Sequence, residues 1–255
     1  MIEIEAGFPA TNRPTFLLEN LLLDATGVTV TGGGDAGLAL EAGTYDYWAP
    51  TSATGQAVYA FSGDVTFNCL SIAAHDIGTQ GGQIVVTADA MVVAVHTPTD
   101  DSAIMIFFPS VTADNVTIAF GNAPSPCKIG VMMLGEALTM QRGIASGYVP
   151  TEWAKRSEIL GGSTISGQFL QQREIRTGGE TSLQFAPIDA SWWRQNGEPL
   201  RVRYNSGKPF FYAGGPSLFA SDVAYCWRAP SSRELLPQLT LGGFVSVNFT
   251  VNFYA

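Results

Sequence analysis

Between residues 244 and 253 apolar and polar side chains alternate: Val245, Val247, Phe249, Val251 and Phe253 share one face, and Ser246, Asn248, Thr250 and Asn252 the other. A period of two predicts a strand with one buried face. In the first 140 residues short apolar runs recur between turn residues, at 27–31, 57–61, 83–88, 91–96, 103–108, 116–120 and 129–134. Spacings of about 8 to 12 residues are the rhythm of a β-sandwich or jelly roll. The run Ile129-Gly130-Val131-Met132-Met133-Leu134 carries no polar side chain, which predicts a central strand covered on both faces. Residues 17–23 leave strand and short helix open.

Residues 163–186 read as a hairpin, with a polar first arm over 163–176, a turn at Thr177-Gly178-Gly179-Glu180 and a return over 181–186. An arm carrying Gln168, Gln171, Gln172, Arg173 and Arg176 has little to bury on its own domain, and unpaired strand edges tend to find another chain. Gln171, Gln172, Arg173 and Arg176 are therefore candidate contacts between subunits. Two short helices are expected, over 151–160 and 189–195, with Thr151 and Asp189 as N-caps.

Composition supports a mainly β chain. Hydrophobic residues make up 46% and charged residues only 14%, with 28 Gly and 14 Pro, a balance that favours strands and turns. Charge then divides the sequence. Residues 1–140 hold 2 bases and 14 acids, and residues 141–255 hold 11 bases and 8 acids; −12 and +3 sum to the net −9. The step falls at a polar stretch containing Gly and Pro, so the reading is an acidic sandwich domain at 1–140, a linker at 141–150 and a β-rich assembly domain with short helices at 151–255. The overall acidity disfavours a nucleic-acid partner, and no apolar run approaches the roughly 20 residues that cross a bilayer. The acidic start lacks the pattern of a secretory leader, so folding in a cytosol is expected.

Candidate chemistry is sparse. Cys69, Cys127 and Cys226 lie far apart among apolar neighbours and read as reduced core thiols. His75 and His96 lack the spacing of a zinc site. Acids such as Asp24, Asp35, Glu41, Asp46, Asp100, Asp101 and Asp114 sit in turns, where they cap, solvate or hold Ca²⁺. No EF-hand loop organises them, and Gly32-Gly33-Gly34 lacks the Lys-Ser/Thr that completes a phosphate loop. No catalytic residue, metal site or cofactor is expected.

Aromatics say more. Tyr45, Tyr47 and Trp48 beside Asp46, with His75, form a candidate ligand or interface cluster, because exposed rings stack on sugar faces. Trp192 and Phe210 lie among the bases of the second half, and aromatic residues with Arg are enriched at protein interfaces, so both join the candidate inter-subunit contacts.

Four stretches together resemble bacteriophage tail-tip or baseplate virion proteins that carry an N-terminal galactose-binding-like jelly roll. They are Thr44-Tyr45-Asp46-Tyr47-Trp48-Ala49-Pro50, residues 70–79 (LSIAAHDIGT), residues 128–138 (KIGVMMLGEAL), and Lys208-Pro209-Phe210-Phe211 with residues 222–227 (DVAYCW). The resemblance implies a non-enzymatic structural protein of the virion tail, assembled in the host cytoplasm as a symmetric oligomer with copies of itself and other tail proteins. A carbohydrate-binding or host-receptor-recognition module, with surface glycans as partners, is the alternative. A hydrolase using paired carboxylates is the third reading.

Overall fold

The computed structural model describes residues 1–9, 11–163, 165–171, 173–230 and 232–254, with the side chains of residues 157, 158 and 174–177 outside that description. Its strands are β1 Ile2–Ile4, β2 Thr15–Leu17, β3 Gly27–Thr31, β4 Gly55–His75, β5 Gln83–Ala88, β6 Met91–His96, β7 Ile104–Gly121 and β8 Ile129–Gly135. They continue as β9 Ala137–Thr139, β10 Lys155–Leu160, β11 Arg173–Asp189, β12 Phe210–Ala213, β13 Val223–Arg228, β14 Gln238–Thr240 and β15 Phe244–Tyr254. The mainly β fold with a sandwich in the first half is as the apolar rhythm predicts.

Two long strands organise the first sheet. The early part of β4 lies between β3 and β7, and its late part between β7 and β8. β7 pairs with β5 near its end and with β1, in parallel, near its start. Register shifts in the β4/β7 ladder at 60–65 and 67–69 are irregularities of the kind that bend strands. One sheet thereby supplies both layers of a sandwich, β3-β4-β7-β5-β6 facing β8-β4-β7-β1. Tyr59, Phe67, Ile72, Ile118, Phe120 and Met132 share the core between them.

The inner layer is apolar on its other face as well, since Cys69, Met105, Phe107, Val131 and Met133 pack with Leu17, Phe211 and Tyr225. This explains the unbroken apolar run at 129–134, every residue of which is buried. The second sheet has the order β10-β11-β15-β13-β12-β2-β9, with β14 on β15. Two of its strands, β2 and β9, come from the first 140 residues and pair with each other, and β2 joins β12. The halves on either side of 141–150 are thus joined through shared strands and a shared core, rather than each closing its own sheet.

The alternation at 244–253 forms β15 as expected, buried at Val245, Val247, Phe249, Val251 and Phe253. Asp189 caps a helical segment as predicted, its carboxylate accepting from the Ser191 and Trp192 amides. That segment runs over 190–205, passing through a π-turn at Trp193–Gly197 into a final helix at Glu198–Asn205. The segment 17–23 resolves into both options: β2 ends at Leu17, and a 3₁₀ turn occupies Leu21–Asp24. Two expectations fail. Residues 151–160 make a turn and then β10, because the backbone from Lys155 onward pairs with β11. The Thr177–Glu180 stretch is no turn but the middle of β11, and the hairpin's true strands are β10 and β11.

Candidate functional site

Two surfaces carry sequence candidates, and the structure adds a third. The first is the loop over 41–50. Tyr45 is 80% exposed and Tyr47 is open at the surface, with the Lys128 ammonium 5.0 Å from the Tyr47 ring centre. The loop is tied to the second sheet by the Tyr225 hydroxyl, which donates to the Ala42 carbonyl at 3.0 Å.

Trp48 departs from this surface role: it is 0% exposed, its Nε1 donates to the Gly33 carbonyl at 3.1 Å, and it meets the Phe120 ring edge-on. Gly32, Gly33 and Gly34 all have positive φ, and a Cβ on Gly34 would fall 2.8 Å from the indole. Gly34 leaves room for the core indole, while Gly32 and Gly33 pass close to Thr54 and Thr51. His75 is buried too. Its Nε2 lies 2.8 Å from the Ser102 carbonyl and its Nδ1 accepts from the Ile77 amide at 3.2 Å, a pattern that uses both nitrogens of the neutral ring. Burial holds its pKa below the ordinary histidine value, against the opposing effect of the Ser102 contact. Neither Trp48 nor His75 can meet a ligand at the surface.

The second surface is a ribbon. β11 pairs with β15 only from Gly179 onward, so among the described residues 173–178 are partnered by β10 alone. The ribbon continues through a bridge between Ser163 and Phe169. Ile159, Leu160, Ile165, Phe169 and Leu170 are exposed along it, with Ile165 fully so. Gln171 and Arg173 are exposed there as well; Gln172 and the Arg176 side chain lie outside the described residues. Trp192 is half-buried against the core of the second sheet. Phe210 is wholly buried, packed on Phe16, which removes it from any interface.

The third surface was not singled out by the sequence, because Trp153 falls within a stretch that reads as helical. Trp153 is 74% exposed and borders a groove of about 390 Å³ with Lys155, Arg156, Glu180 and Ser182. Its segment is braced from beneath. Buried Asp222 accepts from the Tyr148 hydroxyl at 2.8 Å and from the amide and hydroxyl of Thr151, both at 2.9 Å. Burial first, then Tyr212 and the Asp222 carboxylate, push the Tyr148 phenol far above its ordinary range. The Thr181 hydroxyl donates to the Val149 carbonyl at 2.8 Å.

The thiols are placed as expected, free and buried. Burial pushes Cys69 up to about 12 and Cys127 up to about 11, far from the range of a reactive thiolate. Turn acids act as local caps: Asp35 accepts from the Gly37 amide and Asp101 from the Thr79 amide. Among the described residues no three His, Cys, Asp or Glu side chains converge on a metal position.

No family model and no curated protein matches the chain. Among solved structures, a pectin-binding carbohydrate-binding module is 13% identical, covering 43% of this chain and 89% of its own, with a TM-score of 0.35. Chitosan-binding module 1 of a Paenibacillus sp. IK-5 chitosanase/glucanase is 19% identical over 46% of this chain and 98% of its own, with a TM-score of 0.37. The CBM32 of AlyQ, in complex with 4,5-unsaturated mannuronic acid, is 18% identical over 44% and 95%, with a TM-score of 0.36.

Proposed function

We propose that this protein is a non-enzymatic structural subunit that assembles through its projecting ribbon, in the setting its sequence resemblance implies, a bacteriophage tail tip or baseplate. The observation that carries the assembly reading is the ribbon itself. A two-stranded hairpin is marginally stable alone in water, yet this one extends past its third strand with Ile159, Leu160, Ile165, Phe169 and Leu170 turned to solvent. A partner that covers those side chains supplies the missing burial. Copies of the same chain suit that role electrostatically, because exposed Lys155 and Arg173 on the ribbon complement a first half carrying −12.

The test replaces residues 161–171 by an Asn-Gly turn and measures mass in solution and incorporation into particles. The expected result is a folded protein that has lost its oligomer. A wild-type chain that stays monomeric and unincorporated, or a shortened chain that assembles unchanged, overturns the reading.

A second reading, a carbohydrate-binding module, is favoured by one observation: Tyr45 and Tyr47 stand open beside Lys128. With Trp48 and His75 in the core, this reading rests on the two tyrosines. Binding on a glycan array that disappears in Tyr45→Ala/Tyr47→Ala supports it, and binding unaffected by that change removes it.

A further inference from the structure

We propose that the groove beside Trp153 binds an acidic saccharide, a chain carrying hexuronate rings. This site lies on the second sheet, shares no residue with the tyrosine loop, and goes beyond the assembly reading.

Three features of the groove point to one ligand class. The first is an indole that is 74% exposed on a segment that is held still. The Trp153 and Ala154 amides both donate to the Pro150 carbonyl, at 3.0 and 2.9 Å, and Thr151 is locked to buried Asp222. An apolar ring fixed in place before binding has little ordering cost left when a flat ligand covers it. The second is Arg156 on β10, which lines the groove and, through its pairing with Gly178, shares a strand face with Glu180; its neighbour Lys155 projects from the other face. A guanidinium recognises carboxylate through charge-assisted hydrogen bonds. The third is Glu180, on β11 one residue from the Gly179 partner of Lys155, which accepts hydrogen bonds from hydroxyl groups.

A free phosphate or sulfate uses the guanidinium and leaves the indole bare. A neutral sugar covers the indole and leaves the guanidinium unanswered. A pyranose ring bearing a carboxylate offers an apolar C–H face to Trp153, an anion to Arg156, and hydroxyls to Glu180. The volume of about 390 Å³ falls within the span of about 300 to 1,000 Å³ usual for small-ligand sites.

The experiment titrates trigalacturonate, and galactotriose as its neutral counterpart, into the full chain by calorimetry, with tryptophan fluorescence as a second readout. Saturable binding of trigalacturonate is expected, with galactotriose about tenfold weaker. Trp153→Ala should weaken trigalacturonate about tenfold or more, with Trp153→Phe recovering part of the loss. Arg156→Ala should erase the difference between the probes, and Tyr45→Ala/Tyr47→Ala should change neither. Circular dichroism checks that each variant folds. No saturable binding of trigalacturonate, or binding unchanged in Trp153→Ala, overturns the proposal. So does a Trp153→Ala variant whose only change is in oligomeric mass, which would make the groove a protein contact.

Discussion

At the scale of single residues, Trp48 and Trp153 show how differently two indoles are used. Trp48 hydrogen-bonds to the Gly33 carbonyl and lies against Gly34. Its replacement by Ala leaves a cavity and should cost about 3 to 5 kcal/mol in chemical denaturation. A surface position would cost no more than about 0.5 kcal/mol, so this measurement separates core from ligand site. His75 supplies a pH dependence. Its folded pKa is lowered by burial, so the unfolded chain, near the usual 6.5 or so, takes up a proton first as pH falls. The contribution is complete above that value and is lost progressively as pH drops through it toward the folded value. Urea midpoints measured from pH 7.5 to pH 5 should therefore fall, and His75→Gln should flatten part of the slope. His96, also lowered by burial but with Glu3 opposing the shift, keeps its own share.

At the scale of elements, Gly178 and Gly179 read as a turn in the sequence and lie inside a continuous strand in the structure. A glycine is needed at the second position for another reason. Gly179 pairs with Phe253 across the ladder, and a Cβ there would sit 1.9 Å from the phenyl ring, whereas nothing lies within 4 Å of a Cβ on Gly178. Gly179→Ala must displace a buried ring and should cost about 1 to 3 kcal/mol, with Gly178→Ala near neutral in the same denaturation assay. Equal effects would mean that the ring does not rest on Gly179. Local composition does not distinguish a glycine that turns the chain from one that admits a neighbouring ring, so the arm was legible as a hairpin while its strands were not. The strictly alternating β15, the capped helix start at Asp189 and the doubly covered β8 were legible, because each follows from a local pattern. Trp153 was not, since its exposure depends on β10 pairing with a strand some twenty residues later.

At the scale of the whole molecule, each core cluster contains one cysteine. Cys127 lies inside the first sandwich, Cys226 lies beneath the helical segment, and Cys69 lies in the layer that joins the two sheets. The three thiols therefore report separately on three regions of packing. Because Leu17, Phe211 and Tyr225 share a cluster with Cys69 and Phe107, the expected outcome of pulsed thiol labelling across a urea series is one common midpoint. Separate midpoints for Cys127 and Cys226 would establish a division at 141–150 as two independently folding units.

The passage of β11 from ribbon into sheet has a mechanical meaning. The same strand that leaves the molecule beside β10 pairs with β15 from Gly179 to Phe185 and, past an irregularity, again at Ile188 and Asp189. Hydrogen bonds of an antiparallel ladder stand perpendicular to the strands, so a pull on the ribbon along its axis loads the rungs from Gly179 to Phe185 together, in shear, instead of peeling them one at a time. In the proposed assembly, a neighbour that grips the ribbon would be anchored to the second sheet, with tension between subunits borne by the main-chain rungs of β11 and β15.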